Sequence, residues 1–128
     1  MTTVKSFRDL DVYQQSFDLT VKAHQATMKL PQYELYETGS PLRRAAKAIP
    51  ANIAEGFGRR RYTQDHVRFL TYALASCDEV RVHLDMLHAT GNMPDAVHQD
   101  LSEAYDTLGK RLNRFLQSVI RDHEEPYR

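Results

Sequence analysis

Seven cations fall between positions 43 and 68: Arg43, Arg44, Lys47, Arg59, Arg60, Arg61 and Arg68, against two acids, Glu55 and Asp65. The chemistry open to such a cluster is anion recognition. A guanidinium forks two parallel N–H donors onto a phosphate, and a lysine adds a point charge. Tyr62, directly after Arg61, and the nearby Phe57 offer faces on which an unpaired base can stack. Arg43, Lys47, Arg59, Arg60, Arg61, Tyr62 and Arg68 are therefore the candidate nucleic-acid contacts. The competing reading is a solvated basic turn whose arginines pair with acids on another helix or subunit. The segment carries a local net charge of +5, while residues 1–42, 69–92 and 93–128 come to −1, −2 and −2. It is a patch inside a chain of zero net charge, and that total argues against a dedicated, high-affinity nucleic-acid binder.

Other chemistry finds less support. His83 and His88 stand five apart and diverge around a helix, while His24, His66, His98 and His123 stand alone as surface or rim residues. There is no Glu-x-x-His pair of the kind that builds di-iron sites in bundles. Cys77 falls on an apolar stripe, where a cysteine acts as a small hydrophobe, and a lone cysteine makes no internal disulfide. Gly56-Phe57-Gly58 lacks the lysine and preceding strand of a phosphate loop. Asp78 and Glu79 are adjacent and point apart. No catalytic residue, metal ligand or cofactor site is expected, and the protein reads as non-enzymatic.

The basic residues must be positioned by the stretch from Ser40 to Gly58. Ser40 reads as an N-cap and Pro41 as a first helical position. Leu42, Ala46, Ile49, Ile53 and Phe57 recur at three- and four-residue steps, one apolar face of a helix over 41–57. Gly58 suits a left-handed stop. Ala45, Ala48, Ala51 and Ala54 leave little bulk on the rest of the cylinder, which predicts close approach on more than one side, with a neighbouring subunit supplying part of the cover. Arg44 and Glu55 fall along one stripe with Asn52 and are assigned to structure, as a buried or interface pair. Pro50 removes the N–H that would bond the Ala46 carbonyl, so a kink is expected, with the Asn52 amide or a water as substitute donor. Gly56 and Gly58 join Pro50 and Asn52 as structural positions.

The flanking sequence repeats the helical period. A first helix over 10–30 can be capped by Asp9 or Asp11 and ended by Leu30-Pro31. The loop to Gly39, with Tyr33, Leu35 and Tyr36, is expected to pack across the end of the core. Thr63 reads as the N-cap of a helix over 64–90, with Asp65 in its first turn. Met93-Pro94 opens a helix over 94–122, and the polar residues from Asp122 to Arg128 are expected to fray. Four periodic segments, short connections and no alternating strand pattern predict an all-α, up-down-up-down four-helix bundle, one domain spanning 1–128. At 128 residues and 41% hydrophobic composition there is room for a single core. No apolar run reaches ~18 residues, and the N-terminus has no apolar signal core, so a cytoplasmic location with no membrane partner is expected.

Leu42-Arg43-Arg44-Ala45-Ala46, running into Ile49-Pro50-Ala51-Asn52-Ile53-Ala54-Glu55-Gly56-Phe57-Gly58-Arg59, resembles the signature of the small four-helix-bundle proteins called 23S rRNA intervening sequence proteins. The likeness runs from Phe7 to about Gly91 and includes Phe7-Arg8-Asp9-Leu10-Asp11-Val12-Tyr13 and the Phe69-Leu70 to Glu79 stretch. It implies a closed homo-oligomer, a ring and most simply a pentamer. Related bundles include the accessory variability proteins of diversity-generating retroelements, which bring nucleic acid and a reverse transcriptase together. By that resemblance, arginines of several subunits would line a common surface for structured RNA or DNA. The alternative is a scaffold that binds another protein through apolar or acidic surfaces, with no nucleic acid.

Overall fold

A computed structural model describes residues 4–124 of the chain, and all but the side chains of its last two residues. After a 3-10 turn at Phe7–Asp9 come α1 (Asp11–Thr27), α2 (Gln32–Glu37), α3 (Gly39–Gly58), α4 (Thr63–Ala89) and α5 (Asp95–Glu124). The four long helices form the bundle. α3 packs on α1 and α4, and α5 closes the square against α4 and α1. Connections of a few residues after α3 and α4 force antiparallel neighbours, so the chain runs up, down, up and down.

The core follows from the apolar spacing. Ala46, Ile49 and Ile53 of α3 meet Leu70, Ala73, Cys77, Val80 and Leu84 of α4, and α5 contributes Tyr105, Leu108 and Leu112. Each fully buried leucine or isoleucine stabilises the fold by about 1.5–3 kcal/mol. Cys77 is one of these packing residues. Its Sγ–H lies 3.4 Å from the Tyr105 carbonyl, and burial pushes its thiol up to about 11.

Several helix ends differ from the sequence expectation. Asp9 does not cap α1: its carboxylate accepts the N–H groups of Lys5 and Ser6 at 2.9 and 3.0 Å, closing a capping box around the 3-10 turn. Leu10 holds the N-cap position of α1, Asp11 lies in its first turn, and the helix stops at Thr27, before Leu30. The expected loop after Pro31 is the short helix α2. Its register turns Tyr33 and Tyr36 outward and Glu34 inward, only 5% exposed, so a carboxylate and not the aromatics packs beneath it. Thr38 and Asn92 donate to the two Glu34 carboxylate oxygens at 3.0 and 3.2 Å.

Ser40 is not an N-cap. α3 begins at Gly39, and the Ser40 hydroxyl accepts from Arg44 at 2.7 Å. Gly58 is not left-handed either. Gly91, with φ of 74°, is the one positive-φ residue among those described. It ends α4 in a Schellman arrangement, with Gly91 N–H on the His88 carbonyl and Asn92 N–H on that of Leu87. Tyr62, extended and without a side-chain cap bond, precedes α4, so Thr63 is its first residue. Pro94 stands just outside α5. α5 continues helically through Glu124, past the predicted 122, and the expected fraying of 125–128 lies outside the described residues.

Candidate nucleic-acid interface

The turn between α3 and α4 is held by close helix packing. A Cβ on Gly56 would stand 3.2 Å from both His66 Cδ2 and Phe69 Cβ, closer than ordinary van der Waals contact, so the missing side chain suits the close approach of the two helices. The chain then reverses over Arg59–Tyr62, with the Tyr62 N–H on the Arg59 carbonyl at 2.8 Å.

In and beside that turn the arginines are not equivalent. Arg59 reaches Glu55 at 3.6 Å and Asp65 at 3.5 Å and lies over the Phe69 ring. Arg68 pairs with Asp65 at 3.3 Å and covers the same ring. Arg60 stacks 3.9 Å above Phe57 and donates to the Phe57 carbonyl. Such half-exposed pairs are worth about 0–1 kcal/mol each, so a phosphate can displace the carboxylate at small cost. Arg61 and Tyr62 are exposed and make no side-chain contact of this kind among the described residues.

Two of the expected contacts belong elsewhere. Arg43 braces the far end of the bundle: its guanidinium donates to Thr27 Oγ1 at 3.1 Å and to the Leu35 carbonyl at 3.0 Å. Lys47 is exposed on α3, but at ~1.5 Å of rise per residue it stands roughly 18 Å from Arg59. The expected Arg44–Glu55 pair does not form within the chain. Both are exposed, Arg44 binds the Ser40 hydroxyl and Glu55 binds Arg59, because eleven positions along one helix hold them apart.

The structure adds residues that the linear charge count hides. The His66 ring packs edge-on against Phe115 of α5, 5.8 Å between centroids, which brings the C-terminal part of α5 beside the turn. Arg111, Arg114 and Phe115 line an open groove of about 740 Å³ with Leu10, Asp11 and Val12. Arg121 follows seven residues, about two turns, beyond Arg114 along α5. Arg114 has no ion-pair or hydrogen-bond partner among the described residues, and Arg111 makes only a 3.4 Å contact to Gln15. The four acids Asp95, Asp100, Glu103 and Asp106 come first in α5 and Lys110, Arg111, Arg114 and Arg121 follow, so a net count over the segment cancels two opposite ends. The antiparallel course of α5 was the available signal.

His66 departs from the expected surface histidine. It lies on the inward row of α4 with Leu70 and Ala73, is buried, and its Nε2 has no protein partner among the described residues. Burial, and secondly the nearby Arg60 charge, push its pKa down, so it is a neutral wall of the site. At the opposite end His88 and His98 stack 4.1 Å apart, with Nε2 atoms on Asp95 and Asp85. No group of three or more His, Cys, Asp or Glu side chains converges in a metal-binding arrangement among the described residues. No helix among them is long and apolar enough to cross a membrane.

A search of curated proteins finds no match. The family described as 23S rRNA-intervening sequence protein matches residues 8–114, from the 3-10 turn into the basic part of α5. That span contains all of α1, α2, α3 and α4 and both walls of the arginine turn, and its helical architecture agrees: the chain belongs to the 23S rRNA-intervening sequence protein family.

Proposed function

We propose that this protein is a non-enzymatic, self-associating bundle whose basic end holds structured RNA or DNA through phosphate contacts. The observation that carries the reading is the convergence of two helical segments' arginines on one end. Arg59, Arg60 and Arg61 come from the α3–α4 turn and Arg68 from the first turns of α4, and Arg111, Arg114 and Arg121 come from α5. Repetition of this end around a ring, a pentamer in the simplest form, multiplies weak phosphate contacts by effective concentration. A family named for an rRNA intervening sequence is in keeping with an RNA partner. The lone, buried Cys77 thiol suits the reducing cytoplasm.

The test is a titration of purified protein against structured RNA and duplex DNA at two salt concentrations, with mass measured by light scattering on the same sample. Binding to duplex should weaken with a log–log slope of about −0.9 per phosphate contacted. Failure to bind either nucleic acid at low salt would reject the reading. A second reading, a scaffold for a different protein, is favoured by the large apolar side chains exposed on α1 and α4. It predicts an intact assembly with no salt-sensitive binding of nucleic acid.

A further inference from the structure

Two different faces of the bundle carry apolar side chains that the fold leaves uncovered. The first lies across α1 and α3, where Phe17, 50% exposed, and Val21 wall a groove of about 440 Å³ floored by Pro50, Ala51 and Ala54. Alanine there keeps the floor low, so an incoming side chain can reach close to the α3 backbone. Lys47 stands on the rim with no acidic partner among the described residues, and Arg44, one turn earlier, is bonded only to a hydroxyl.

The second face is the outward row of α4. Tyr72, Ala75, Glu79, Val82 and Met86 follow three- and four-residue steps, opposite the buried row Ala73, Cys77, Val80, Leu84 and Leu87. Val82 and Met86 are 59% and 55% exposed. Asp78, Glu79 and Asp85 surround them, and residues 76–109 hold seven acids against the single Arg81. An apolar groove whose one charged lining residue among those described is Lys47 and an apolar row in an acidic field are complementary in both respects.

We propose that the α4 row of one copy seats in the α1–α3 groove of the next, with Val82 and Met86 against Phe17, Val21 and Ala51, and Lys47 facing Glu79. Rim charges of opposite sign fix the register, and the apolar row supplies the buried centre. The two surfaces are different, so the contact is head-to-tail. Repeated, it closes a ring or propagates as a filament. This assignment rests on the self-association proposed above and specifies which faces carry it.

Oxidative cross-linking of the full chain with Ala51→Cys and Met86→Cys combined tests the pairing. The native Cys77 is buried and its thiol pushed up to about 11, so it stays silent. The expected result is a ladder of disulfide-linked multimers in the double variant and only monomer from either single variant. A linked dimer from Ala51→Cys alone would mean a two-fold contact and overturn the proposal. An oligomer by light scattering that yields no ladder would overturn the face assignment and leave self-association standing. A monomer at all concentrations would overturn both, and protection of the introduced thiol at position 51 by added RNA or by another protein would name the different occupant. Charge reversal gives an independent reading. Lys47→Glu or Glu79→Lys alone should weaken association about tenfold, and the two together should restore it. Additive losses in the double reversal would reject the Lys47–Glu79 juxtaposition.

Discussion

The Thr20 hydroxyl of α1 lies 3.0 Å from the Ala46 carbonyl of α3, the carbonyl that Pro50 deprives of its helical N–H. The proline thus trades an intrahelical bond for a cross-helix one, and the expected donor, the Asn52 amide, instead donates to the Ala48 carbonyl at 2.9 Å. The same hydroxyl lies 2.7 Å from the Ser16 carbonyl, and its single proton is shared between the two acceptors. Thr20→Val keeps the shape and removes the donor, which should cost about 1–3 kcal/mol in denaturant unfolding, as for a buried acceptor left unsatisfied. In a Pro50→Ala background the amide returns and the same substitution should cost clearly less. Equal costs in the two backgrounds would refute the coupling.

The basic end and the fold brace make opposite predictions for their arginines. Arg61→Ala and Arg114→Ala should each lower affinity for every nucleic-acid sequence alike and reduce the salt slope by about one unit on duplex, with stability within ~0.5 kcal/mol of the parent. Arg43→Ala should leave the slope unchanged. It should instead destabilise by about 1–3 kcal/mol, because Thr27 and the Leu35 carbonyl lose their partner. Binding isotherms at several salt concentrations, beside urea unfolding, separate the two. A shallower slope in Arg43→Ala would return that residue to the interface.

His66 makes stability depend on pH. Its folded pKa is depressed by burial and then by Arg60, whereas the unfolded chain has the ordinary value of 6.5. Below that value the unfolded state binds more protons than the folded state, so stability is full above it and declines as pH falls toward the folded pKa. Replacement by phenylalanine, which keeps a ring against Phe115 and removes the unpartnered Nε2, should flatten this decline. Urea unfolding at about pH 7.5 and about pH 5, on either side of the ordinary histidine value, measures it. An unchanged pH dependence in His66→Phe would place the titrating group elsewhere.

How far the fold and site could be read from residues depends on which interactions are local. Helix rows such as Leu42–Ala46–Ile49–Ile53 are set by spacing alone, and they stand in the structure as the sequence predicts. Caps compete at single-residue resolution, so Ser40 and Thr63 lie inside helices that start one or two positions earlier than expected. The amphipathic register of α2 is too short to beat its aromatic content as a signal, and Glu34 was missed because its partners Thr38 and Asn92 include one that is distant in the chain. The site was legible only in its contiguous half. Arg111, Arg114 and Arg121 join Arg59–Arg61 through an antiparallel crossing, and in the linear count their charge cancels against acids at the opposite end of α5.

The two glycines of the Gly56-Phe57-Gly58 stretch look equivalent in sequence, and the structure separates them. At Gly56 an added Cβ meets His66 and Phe69 at 3.2 Å, and the His66 carbonyl at 3.4 Å, so Gly56→Ala requires these side chains or the α3–α4 spacing to give by a few tenths of an ångström. Overpacking of this kind should cost about 1–3 kcal/mol. It should also move the arginine turn relative to α5, weakening nucleic-acid binding beyond what lost stability explains. At Gly58 a Cβ would enter open space, with no packing neighbour within 4 Å, and φ is not positive. Gly58→Ala should therefore stabilise the protein by roughly 0.4–1 kcal/mol, since alanine restricts the unfolded chain and suits a helical residue. Thermal and urea unfolding of the two variants give the contrast directly. Similar destabilisation by both would mean that the second glycine is required by a contact outside this chain, and the α3–α4 turn would then lie within an assembly interface.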